Sequence, residues 1–154
     1  MTDKKPLKRH KALQPLSREH HQGLLLSWKI RTGLKKGIEF DRIKTYANWF
    51  YKVHLIPHFN MEETHVFSIL EEGHTCRQQA IREHKQLEKL FSLHSNLEDN
   101  LIDIADTLEQ HIRFEERILF PEIQKIATET QIKLIEEIHY ETDFEDNLTD
   151  EFWK

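Results

Sequence analysis

The chain contains one phrase twice, and that repeat limits what it can fold into. The first copy is Arg18-Glu19-His20-His21-Gln22, followed later by His58, Glu62, Glu63 and Phe67. The second is Arg82-Glu83-His84-Lys85-Gln86, followed by His111, Glu115, Glu116 and Phe120. In both copies a Glu stands four residues after the second His, another Glu comes next, and a Phe closes the motif. A spacing of four puts two side chains on one helical face, about 5–6 Å apart. The repeat therefore asks for helices, and for two halves built on one plan.

Composition agrees with helices. A chain of 154 residues is the size of one domain. With only four Gly and four Pro it lacks the turn punctuation of an all-β fold. Apolar residues recur at helical spacing in four long segments. The first opens at Ser17 as N-cap and runs to about Gly33–Gly37, with His20, Leu24 and Trp28 on one side. The second follows Asp41 to Gly73 and carries Ile43, Ala47, Phe50, His54, Met61, Glu62 and His65 on one face, with a kink expected at Pro57. The third follows Thr75 to Leu93, with Ala80, His84, Leu87 and Phe91 in a stripe. The fourth spans Leu97 to Ala127 with an inner face of Leu101, Ile104, Leu108, His111, Glu115 and Ile118, bending at Pro121. A short helix, Gln131–Tyr140, comes last.

The expected architecture is all-α: an antiparallel up-down four-helix bundle with a basic N-terminal arm and a short C-terminal helix. Its division is 1–16 for an extended arm, 17–128 for the bundle, and 129–154 for the terminal helix and an acidic tail. Trp28, Trp49, Phe50, Phe91, Phe114 and Phe120 are expected in the core, whereas Phe152 and Trp153 either dock or stay free.

The net charge of −5 gives no reason to expect nucleic acid as a partner. One cysteine, Cys76, rules out an intramolecular disulfide framework and suits a reducing compartment. No apolar run is long enough for a membrane span, so the cytoplasm is the expected location and no membrane partner is foreseen.

Eleven histidines are the compositional oddity. His58 with Glu62, and His111 with Glu115, each aim an imidazole and a carboxylate at one spot. His20 and His84, near the middles of the first and third helices, reach the same region across a bundle whose helices sit about 8–10 Å apart. Four imidazoles and two carboxylates, with no thiolate, suit iron or manganese better than structural zinc. Two shared carboxylates and two imidazoles per metal leave open positions for a small exogenous ligand.

On these motifs the chain resembles the hemerythrin family, in its hemerythrin-like branch with the repeated His–His-Glu pattern, over about residues 16–127. The resemblance implies a non-haem, carboxylate-bridged centre of two iron ions, with manganese or zinc as substitutes. It implies His20, His58, Glu62, His84, His111 and Glu115 as metal ligands. It also implies dioxygen, or a related diatomic or peroxide, as the small ligand, in oxygen or iron sensing, storage or stress handling. Two features depart from the oxygen carriers of that family. Ala80 stands where they place a fifth imidazole, and Glu115 and Glu116 stand at four and five residues after His111 where they carry an Asp at five. The site expected is therefore more symmetric than theirs. A di-iron redox enzyme and a metal-responsive adaptor module are the alternative functions, and no protein partner is indicated.

His21 points about 100° away from His20 on a helix. His54 reads either as a core-edge histidine or as an extra ligand replacing the imidazole absent at Ala80. His65 reads as packing. Glu63 and Glu116 read as solvated or as hydrogen-bond partners behind a ligand. His10, His74, His94 and His139 read as surface residues.

Overall fold

The computed structural model describes residues 8–138 and 143–154. It is all-α, 79% helical, with no strand among the described residues. Helix α1 (Gln14–Lys35) is entered through a 3-10 turn, Lys11–Leu13. Helix α2 runs without a break over 40–69, α3 is Thr75–Ser92, α4 runs over 97–126, and α5 is Glu129–Ile138. His139 and Tyr140, placed at the end of the last helix by the sequence, lie outside the described residues.

Helix α1 begins earlier than Ser17. Pro15 opens its first turn, where the missing N–H costs nothing and the fixed φ suits a helix. Ala12, Leu13 and Leu16 are buried, so the last part of the expected arm is helical core rather than extended chain. Arg9 is likewise tied down: its Nη2 donates to the Glu116 carbonyl (2.6 Å) and its Nη1 to Gln124 Oε1 (3.1 Å). At the other end of α1, Gly37 takes φ +73°, and the N–H groups of Gly37 and Ile38 reach back to the carbonyls of Leu34 and Gly33. This left-handed cap is one that glycine adopts without strain.

Helices α2 and α4 both carry π turns. In α2 these are Tyr51–Leu55 and Glu62–Val66; in α4 it is Glu115–Leu119. The bend expected at Pro57 takes this form, with Ile56 N–H donating to the Tyr51 carbonyl just ahead of the proline. Pro121 also comes after a π turn, closed by Phe120 N–H to the Glu115 carbonyl. A wider turn gives the proline ring room against the preceding carbonyls, and the helix continues.

Each π turn inserts one residue and rotates the rest of its helix by about 100°. This corrects two expectations. Ile118 is 53% exposed, and Leu119 takes the inner face; His65 is partly exposed, and Val66 takes the inner face. A third correction concerns Trp28, which is 52% exposed. The buried stripe of α1 runs through Leu16, His20, Gly23, Ser27 and Ile30, and Trp28 lies about 100° round from Ser27.

Helix α4 is the hub: α1, α3 and the first part of α2 all pack against it, and α5 lies on the N-terminal 3-10 turn. The apolar core falls into two clusters. One includes Leu26, Ile30, Ile43, Phe50, Phe59, Leu87, Phe91, Leu101 and Ile112. The other includes Leu13, Leu16, Val66, Phe67, Ala80, Phe114, Leu119 and Phe120. Along α1 and α3 the chain passes from the second cluster to the first; along α2 and α4 it passes from the first to the second.

The acidic tail docks. Phe152 is buried against the first cluster, and Asp146 accepts from Lys29 Nζ (2.6 Å) and Tyr46 Oη (2.5 Å). Asp150 accepts from Arg42 Nε and Nη2, both at 2.8 Å. The phenyl ring of Phe152 fits because residue 33 has no side chain: a Cβ there would lie 2.8 Å from the ring.

Candidate metal centre

The six residues named by the repeat converge at the boundary between the two apolar clusters. His20, His58, His84 and His111 are buried, and Glu62 and Glu115 are fully buried. They form two groups that could hold a cation: His20, His58 and Glu62, and His84, His111, Glu62 and Glu115. Within each group the ligand atoms lie within 4.8 Å of one another, and Glu62 belongs to both. Each half thus keeps its two imidazoles together, with ring centroids 4.8 Å apart in both pairs.

The carboxylates face all four rings. Glu62 Oε1 lies 3.1 Å from His58 Nε2 and 3.3 Å from His84 Nε2, while Oε2 lies 3.6 Å from His20 Nε2. Glu115 Oε1 lies against His111 Nε2 and 3.5 Å from His84 Nε2, and its Oε2 lies 3.6 Å from His20 Nε2.

Behind the rings stands a second set of carboxylates. His58 Nδ1 donates to Glu19 (2.7 Å) and His111 Nδ1 to Glu83 (2.7 Å), each within its own half. His20 Nδ1 donates to Glu116 (2.7 Å) and His84 Nδ1 to Glu63 (3.0 Å), each across to the other half. Since a carboxylate only accepts, every Nδ1 carries the proton, and every Nε2 is the atom turned inward. Glu116 is further held by the Ser17 hydroxyl, at 2.9 and 3.0 Å to its two oxygens. Ser17 therefore acts inside α1 and not as its N-cap.

From the sequence, Glu19 and Glu83 have no assigned role in the site, and Glu63 and Glu116 read as either solvated or supporting. A signal was present: every one of these glutamates recurs in the second copy at the same place beside a ligand. What the repeat could not supply was the crossed pairing, because that depends on how the halves pack.

Stacked rings complete the walls. His20 stacks on Phe120 (5.3 Å) and His84 on Phe59 (3.9 Å), with Phe67 tilted against His84 as well (5.2 Å). Phe67 and Phe120 are the residues that end the two copies of the motif. They reach the rings through the π turns that begin at Glu62 and Glu115.

The electrostatics are those of a mutually stabilised ion cluster. Burial pushes the carboxyls of Glu62 and Glu115 up, yet the surrounding imidazoles, His58 and His111 foremost, reverse this and hold Glu115 well below the usual carboxylate range. Burial pulls the imidazoles down, and the carboxylates reverse that as well: His58 rises to about 9, and His20 and His84 stand well above the usual range.

Even so, the inner atoms are unsatisfied. The Nε2 atoms of His20, His58, His84 and His111 and both oxygens of Glu62 and Glu115 are buried without a hydrogen-bond partner. Buried polar atoms without hydrogen bonds are expensive, and eight of them gathered in one cluster call for a shared partner. A cation that takes the place of the Nε2 protons satisfies lone pairs on nitrogen and oxygen together, so the residues fit a metal ion.

The other histidines stay apart among the described residues. His54 sits in an aromatic box of Trp49, Phe50 and Phe144, at 5.2, 5.1 and 4.7 Å, and joins neither group. His65 joins neither group, His21 is exposed, and His74 caps α3 by accepting from Cys76 N–H (3.1 Å), a place expected for Thr75. No helix among the described residues is long and apolar enough to cross a membrane.

Comparison with curated proteins and with solved structures finds no match. A family model described as the hemerythrin HHE cation-binding domain matches residues 10–123, a span that contains all six clustered residues and their four supporting glutamates. With its repeated motif, its all-α fold and its buried His/Glu cluster, the chain belongs to the hemerythrin HHE cation-binding domain family.

Proposed function

We propose that the cluster binds two iron ions and that the chain handles dioxygen or a related small ligand, a diatomic or a peroxide. The observation that carries this reading is the set of eight inward atoms without hydrogen bonds, arranged as two groups with a shared carboxylate. His20 and His58 would serve one ion, His84 and His111 the other, with Glu62 and Glu115 between them. Manganese or zinc would occupy the same donors as substitutes. Bound there, the metals supply Lewis-acid and redox chemistry toward small oxygen- or nitrogen-containing ligands.

The protein's own part is orientation and exclusion. Four carboxylates hold the Nδ1 protons and so fix which nitrogen of each ring faces inward, which strengthens it as a donor. Phe59, Phe67 and Phe120 pack on the rings and keep bulk water off them. The opposite order of the two apolar clusters along successive helices supports an antiparallel, up-down arrangement of α1 to α4 as the frame. Ala80, fully buried among apolar residues, leaves the second pair of imidazoles without a fifth, in keeping with a near-symmetric centre.

The test is metal content with ligand variants. Protein isolated without added metal should carry about two metals per chain. Glu62→Ala, which cuts both groups, should lose both, whereas His58→Ala should lose about one. Metal-free wild-type protein that takes up none on anaerobic addition of Fe2+ would end this reading.

A further inference from the structure

A cavity of about 520 Å3 lies between α1 and α2 against one side of the cluster. His20, His58 and His111 line it, and its walls include Gly23, Phe50, Leu55, Phe59, Leu108 and Ile112. A water molecule's share of liquid is about 30 Å3, so a diatomic ligand needs only a small part of this space. The volume falls within the range of about 300–1,000 Å3 found for pockets that hold organic ligands.

Two features shape the wall of the cavity. The first is a break in the repeat. Gly23 stands five residues after Arg18, and its counterpart after Arg82 is Leu87, whose side chain is fully buried in the core. Where the second copy places a leucine side chain in the core, the first lets Ile112 pack against its bare backbone: a Cβ on residue 23 would lie 2.7 Å from Ile112 Cδ1, and Gly23 and Ile112 form the cavity wall together. The second feature is the tail. Asp143 and Phe144 form part of the cavity wall, although they lie beyond the residues that match the family model. Phe144 rests on His54 and Phe50, at 4.7 and 6.0 Å between ring centroids. It is kept there by the anchors just beyond it, Asp146 on Lys29 and Tyr46, and Phe152 in the core.

We propose that this cavity binds a small, mainly apolar organic molecule with one hydrogen-bonding end, of the class of simple phenols and short alcohols. The apolar body would rest on Phe50, Leu108 and Ile112, and the polar end would meet the polar part of the lining, which comprises Arg18, Glu19, His21, Gln22, His54 and Asp143 besides the imidazoles of the cluster. The site goes beyond the handling of diatomic ligands. Because it is built from side chains alone, it stands whether or not the cluster holds metal.

Ligand-observed saturation-transfer NMR on the full chain tests it, with phenol and 1-hexanol as separate probes and both metal-stripped and Fe2+-loaded protein. Saturating transfer to at least one probe is expected at millimolar concentration or below. Gly23→Leu, whose side chain must displace that of Ile112 in the cavity wall, should weaken that binding at least tenfold. Val53→Trp narrows the cavity from a position that is 49% exposed and outside the core, so it serves if Gly23→Leu fails to fold; it too should weaken binding. Phe144→Ala should weaken binding without changing metal content. No transfer to either probe, or equal binding by wild type and Val53→Trp, overturns the proposal. Loss of metal uptake with probe binding intact would instead overturn the metal reading and leave this one standing.

Discussion

Removing a carboxylate that stands behind an imidazole should weaken metal binding by an amount set by its burial. Glu83 accepts from His111 Nδ1 at 2.7 Å and is 21% exposed; Glu63 accepts from His84 Nδ1 at 3.0 Å and is 42% exposed. Loss of such a supporting partner costs about 10–100-fold in metal affinity, or about 1.4–2.7 kcal/mol. At the more exposed Glu63, water replaces the lost acceptor more easily and the original bond is longer. Glu63→Ala should therefore fall near tenfold and Glu83→Ala near a hundredfold. Anaerobic competition for Fe2+ against a colorimetric chelator reads both losses. Melting of the metal-free variants separates lost affinity from lost fold. Glu83→Gln, which keeps an acceptor oxygen, should recover part of the affinity. Equal affinities for wild type and Glu83→Ala, or a larger loss at Glu63 than at Glu83, would refute the reasoning.

Metal removal should destabilise the chain. With free metal at about a thousand times Kd, each site contributes about 4 kcal/mol. For a chain of this size that is about 8–16 °C in Tm per occupied site, readable by calorimetry with and without chelator. Phe152→Ala, at a ring that is 2% exposed, should cost about 3 kcal/mol in urea denaturation. Gly33→Ala should shift the midpoint in the same direction by pushing that ring out. Lys44 is buried, donates to Asn100 Oδ1 and has no carboxylate partner among its hydrogen bonds, and burial lowers its pKa to about 8. Between about pH 8 and its ordinary 10.5 the unfolded chain binds the extra proton, so stability should rise with pH across that window. Lys44→Met should flatten the rise; an identical slope in both proteins would remove Lys44 from the explanation.

The repeat made the heart of the site legible because its information is local: spacing on a helix places His58 with Glu62 and His111 with Glu115 without knowledge of the rest. The same logic found the stripe of α3, where Ala80, His84, Leu87 and Phe91 are all buried. It failed past Glu62 and Glu115, since nothing in a 3.6-residue period announces a π turn, and one inserted residue exchanged Ile118 for Leu119 and His65 for Val66. It failed over residues 12–16, expected as extended arm, because a proline such as Pro15 suits the first turn of a helix as well as a stretch before it. The crossed hydrogen bonds from His20 to Glu116 and from His84 to Glu63 were beyond it for a different reason. They join residues far apart in the chain and exist only once α1 and α3 have packed beside α4 and α2. The tail was open for the same reason, as its docking turns on a space at Gly33 that only the packed α1 and α2 define.

X-ray diffraction from crystals grown from protein isolated without metal stripping, recorded at the iron absorption edge, would decide whether the cluster is a metal centre. Two anomalous peaks should appear inside the ring of Nε2 atoms, one beside His20 and His58 and one beside His84 and His111, with Glu62 and Glu115 between them. A cluster with no anomalous density at the iron edge, in protein that also binds no added Fe2+, would contradict the reading and leave a bundle whose buried histidines and glutamates neutralise only one another.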